Sequence, residues 1–157
     1  MPVHIVAGHL VIIAAPLSVL LALVYALRPG SRAGMRWPLL ISAGLSFGLA
    51  VFAEQAGSDL YDRLKQAPGR EAEAAQAYLH AKAGDLLTVS TLVLAVLVVV
   101  LVFWRLSPSR TAAGGPHAIA AGLLVVGALA VAWYTADTLV LAMQAVWSDQ
   151  ASWTAGA

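Results

Sequence analysis

The 157-residue sequence predicts an all-α integral membrane protein. The expected form is an antiparallel four-helix bundle with a short extracytoplasmic helical segment between spans two and three. Three observations carry this. Hydrophobic residues make up 61% of the chain and charged residues 11%, where a soluble domain carries about a quarter. Mean hydropathy is +0.82. The apolar residues gather in four long runs. This excludes a disordered chain, a nucleic-acid binder with a basic face and nearly every ordinary soluble enzyme. The formal net charge of +1 implies no electrostatic partner. No cysteine is present, which removes disulfides, thiolate metal sites and thiol catalysis.

The first run covers residues 3–27, interrupted only by His4, His9, Pro16 and Ser18, and stops at Arg28-Pro29-Gly30. It is too long for a cleaved signal peptide and has no basic residue before Arg28, so it is expected to be a retained span. The second, 37–53, opens with Pro38, which a first helical turn tolerates. It is near the lower limit for crossing a hydrocarbon core that needs about 20 helical residues. The third, 86–104, is almost pure Leu and Val. The fourth starts near Ala118, with 118–137 enough to span and Trp133 and Tyr134 suited to the interfacial belt. Beyond it, Thr138 to Trp147 either extends the helix or turns along the surface, where Trp147 and Trp153 would fit.

Basic residues in short loops set the orientation. Arg28, Arg32 and Arg36 follow the first run, and Arg105 and Arg110 the third, with no acid in either loop. Both loops are therefore expected in the cytoplasm. This makes a multi-pass cell-membrane protein with both termini and the 54–85 segment outside. In that segment Ser58 is a plausible N-cap for a short helix with Asp59 and Asp62 in its first turn. Pro68-Gly69 breaks it. From Arg70 the chain is rich in strong helix formers, so one helix to Trp104 is favoured over a break at Gly84.

That orientation brings His4, His9, His80, Glu54, Asp85 and Asp137 to one membrane face, with His117 at the other. Ionisable groups in or beside a span suggest a functional site; helix ends are also where polar residues ordinarily sit. His4 and His9 lie five apart, about 140° around a helix, which is not the one-face spacing of a helical zinc pair. Neutral imidazole ligates haem iron, copper or zinc, and His9 with His80 is the conceivable haem-sandwiching pair. Small residues at Gly44 and Gly48, Ser42 and Ser46, and Ala120, Ala128, Ala132 and Ala136 suit close helix contact, within the chain or between copies. No phosphate-binding Gly loop, nucleophile elbow or dinucleotide fingerprint is present.

Several of these residues occur in a recognisable order. Pro2-Val-His4 through Gly-His9 to Ala-Pro16-Leu, then Glu54-Gln-Ala-Gly57-Ser-Asp-Leu60, His80-Ala-Lys-Ala-Gly84-Asp85 and Ala145-Val146-Trp147-Ser148 together resemble the membrane family catalogued as domain of unknown function 2231. The resemblance covers about residues 2–148. It implies a four-helix membrane protein, in some relatives associated with redox modules. One stretch departs: where many relatives have Gly-(His or Asp)-Ser-Gly-Ala, this chain has Leu139-Val-Leu-Ala-Met143, with Asp137 nearby but out of register.

The sequence thus predicts a membrane accessory or binding subunit whose outer cluster holds haem b or a transition-metal ion. His4, His9 and His80 are the candidate ligands, with Glu54 and Asp85 as further metal-site residues that fix imidazole tautomers. The alternative is a purely structural subunit of a larger membrane complex, without cofactor. The expected partners are the lipid bilayer and either a larger complex or a second copy, and no nucleic acid.

Overall fold

The computed structural model describes residues 3–69, 71–108 and 114–147. Four α-helices account for most of them: α1 (Val3–Leu27), α2 (Arg32–Gln66), α3 (Glu71–Phe103) and α4 (Gly115–Trp147). A 3-10 turn over Pro29–Ser31 joins the first two. No strand occurs among the described residues. Each α-helix contains a stretch long and apolar enough to cross a membrane.

α1 packs against α2 and α4, and α3 packs against the same two helices. The buried positions of α1 run Val11, Ala15, Ser18, Ala22, Tyr25, and this alternation of four- and three-residue steps keeps one stripe turned inward. Leu87, Leu94, Val98 and Leu101 do the same on α3, as do Ala120, Leu124, Ala128 and Val131 on α4. The alanines on the α1 stripe let neighbouring backbones come close. Ile13, Leu20, Val126 and Trp133 point outward, Trp133 being 72% exposed, a surface suited to lipid. Several buried hydroxyls are satisfied along their own helices: Ser18 donates to Ala15 O, Ser42 to Leu39 O, Ser90 to Leu87 O and Thr135 to Val131 O; that of Ser46 has no partner. No polar group need face lipid at those positions.

The helix between the second and third runs differs from expectation. α2 begins at Arg32 and continues without interruption to Gln66, so residues 54–66 form no separate helix. Ser58 is inside α2, its hydroxyl bonded to Gln55 O. The helix runs on through Gly57, and the chain turns at Pro68-Gly69, the expected break, where Gly69 takes a φ of 78° that glycine adopts freely. Pro38 falls within α2 rather than at its start. The carbonyl it leaves without a donor belongs to Gly34, which is exposed. α3 is continuous through Gly84, as favoured, and α4 extends past Thr138. Arg70, Arg110, Ser148 and Trp153 lie outside the described residues.

The small-residue pairs on α2 separate. Ser42 and Ser46 are buried in the packed interior. Gly44 and Gly48 face outward, and a β-carbon on either would meet nothing within 4 Å.

Candidate functional site

The sequence placed three histidines near one end of the molecule, and the structure brings two of them together. His4, in the first turn of α1, and His80, on α3, stand edge to face with ring centroids 5.8 Å apart and planes at 80°. His9 does not join them. It is exposed and bonded to its own helix, Nδ1 lying 2.7 Å from Ile5 O. The five-residue displacement that separates His4 from His9 by about 140° turns His9 away, so the expected His9–His80 pair is replaced by His4–His80.

Two further features hold His4. Its Nδ1 lies 2.9 Å from the carbonyl of Ala53 on α2. A carbonyl only accepts, so Nδ1 carries the proton and Nε2 keeps its lone pair in the neutral ring. Gly57, one turn further along α2, provides the space. A β-carbon there would lie 2.9 Å from His4 Cε1 and 3.0 Å from Nδ1, inside van der Waals contact. Ala53 and Gly57 are four apart and share one helix face, so one supplies the acceptor and the other the gap.

His80 is half-buried and meets the backbone of Thr138 on α4. Its Nδ1 is buried without a hydrogen-bond partner, as is the hydroxyl of Thr138. Buried polar atoms are nearly always paired, and two orphans from neighbouring residues make this an unusual polar spot.

The carboxylates stay outside the cluster. Glu54, Asp85 and Asp137 are exposed; Glu54 and Asp85 lie close enough to act on each other electrostatically. Neither takes the His4 proton, which goes to a backbone carbonyl instead. Among the described residues, no group of three or more His, Asp or Glu is placed to hold a metal ion. The expected set of His4, His9, His80, Glu54 and Asp85 is therefore not assembled; two imidazoles are.

Beyond this cluster Tyr61 of α2 and Tyr78 of α3 contact each other at 6.1 Å between centroids, tying together the parts of these helices nearest the Pro68-Gly69 turn. Ala53 O and Thr138 carry no sequence signal, since one acts through its backbone and the other is an ordinary α4 residue. Gly57 carries one: a glycine within a helix is costly unless a neighbour needs its space.

No family model, curated protein or solved structure matches the chain.

Proposed function

We propose that this chain is an integral-membrane binding subunit, folded as a left-handed antiparallel four-helix bundle, in which His4 and His80 together ligate a transition-metal ion. The orphaned, buried Nδ1 of His80 beside the His4 ring carries the reading. An imidazole whose other nitrogen donates to a backbone carbonyl is the form in which histidine binds metal, and His4 has it. Two protein nitrogens leave further coordination positions for solvent or an incoming ligand. A metal ion fits better than haem. Rings already in edge contact have no slot between them for a macrocycle, and His9, the other haem candidate, is turned away.

The arginine-rich loops favour the basic end in the cytoplasm, with the His4–His80 end and both termini outside. The order of His4, Gly57, His80 and Gly84-Asp85 supports membership of the domain-of-unknown-function 2231 family, and Gly57 gains a physical role in that order.

A second reading rests on a specific observation. His4 reaches Ala53 O and His80 reaches the Thr138 backbone, so the pair links all four helices and would serve a structural subunit equally. Metal analysis of the detergent-purified protein, with oxidised and reduced visible spectra, separates the two. The binding subunit retains a stoichiometric metal that His80→Ala loses while helicity is unchanged. The structural subunit is metal-free, and His80→Ala lowers only its stability.

A further inference from the structure

The opposite end of the molecule is built from cations. Arg28, Arg32, Arg36 and Arg105 lie there with His117, and no acidic residue among the described ones accompanies them: Glu54, Asp59, Asp62, Glu71, Glu73, Asp85 and Asp137 all belong to the other end. Arg32 is only 2% exposed. Its Nε donates to Tyr25 O at 3.1 Å and a terminal nitrogen to Ala26 O at 3.3 Å, so it caps the last carbonyls of α1. Its guanidinium also lies 5.6 Å from the centre of the Tyr25 ring.

The third hydrogen bond of Arg32 fixes the tautomer of a neighbouring imidazole. One terminal nitrogen lies 2.9 Å from His117 Nε2. A guanidinium only donates, so His117 Nε2 must accept, and the proton of this imidazole sits on Nδ1. That Nδ1–H is buried with no acceptor. Arg36 stands one helical turn beyond Arg32 on the same face of α2, packed over Phe103 at 4.4 Å. Its Nε–H is likewise buried with no acceptor. Two orphaned donors therefore flank one buried cation, on α2 and α4. The amino-terminal turn of α2 has no side-chain cap from Ser31, whose hydroxyl turns to Arg28 O.

We propose that this end binds a phosphate group, whose oxygens accept from Arg36 Nε–H and His117 Nδ1–H while Arg32 supplies a fixed positive charge. Donors on different helices match an anion with several oxygens, and arginine suits phosphate through its forked geometry. Among the described residues no carboxylate lies at this end. At a bilayer interface the abundant anionic acceptor is the phosphate of a lipid headgroup, which basic pockets between spans take up. Free phosphate has the same chemistry.

The test is thermal unfolding of the full chain in a nonionic detergent with added phosphatidylglycerol, inorganic phosphate or an uncharged glycosyl diacylglycerol. The expected result is a rise in Tm with a phosphate source and none with the uncharged lipid. A rise with phosphatidylglycerol alone assigns a lipid headgroup; a rise with inorganic phosphate assigns the free ion. Arg36→Met keeps the packing over Phe103 and removes the donor. It should weaken apparent affinity about ten-fold or more, as the loss of a charge-assisted hydrogen bond entails. If this variant loses helicity, Arg36→Lys replaces it, keeping the charge without the Nε donor and likewise weakening binding. The proposal is overturned if neither phosphate source raises Tm above the uncharged lipid, or if a folded Arg36 variant responds as fully as the natural protein.

Discussion

His4 occupies the space that a side chain at position 57 would need: a β-carbon on Gly57 would lie 2.9 Å from His4 Cε1. The obstacle is a ring held by its hydrogen bond to Ala53 O, so relief of the clash costs that bond. Gly57→Ala is expected to destabilise the protein by about 1–3 kcal/mol, the usual cost of overpacking. In a His4→Ala background the same change should be neutral or stabilising by up to about 1 kcal/mol, because alanine is the better helix former. Unfolding in mixed micelles of all four variants measures the sign reversal.

His9 makes its one polar contact within α1 and is exposed. His9→Ala should change stability by no more than about 0.5 kcal/mol and leave metal content unaltered. A loss of metal in this variant, measured by elemental analysis, would move the site away from His80.

Tyr25 is fully buried and donates its hydroxyl to Leu106 O at 2.8 Å, 81 residues away. This bond fixes the start of the α3–α4 connection against α1. Tyr25→Phe leaves that carbonyl without its donor and is expected to cost about 1–3 kcal/mol. The check is the unfolding midpoint, together with faster proteolysis after Leu106.

Gly44 and Gly48 have open space where a side chain would go. Gly44→Ala should therefore stabilise the chain by up to about 1 kcal/mol through helix propensity. Gly48→Leu should leave the fold intact, as circular dichroism would show. The interior pair Ser42 and Ser46 should not tolerate leucine, because both are buried against neighbouring helices.

The spans were legible because apolar length is a property of sequence alone, and α1 at Val3–Leu27 coincides with its first run. The limits of α2 were less so. The second run stops at Ala53, whereas the helix continues through residues polar enough to leave the membrane. Hydropathy reports the solvent of a helix, not its end. The site was half legible. His4 and His80 are visible as ionisable residues near span ends, but which histidine faces inward depends on the rotation of α1, and that is set by alanine packing. The burial of Arg32 was hidden for a similar reason: its acceptors are backbone carbonyls of α1 and an imidazole 85 residues away.

The most direct test of the His4–His80 site is the nitrogen NMR spectrum of histidine-labelled protein in micelles, recorded without and with added zinc. The predicted result is that His4 shows a protonated Nδ1, that Zn²⁺ shifts His4 Nε2 and His80 Nδ1 together, and that His9 and His117 do not move. A spectrum in which zinc shifts neither His4 nor His80, or shifts His9 instead, would contradict the account.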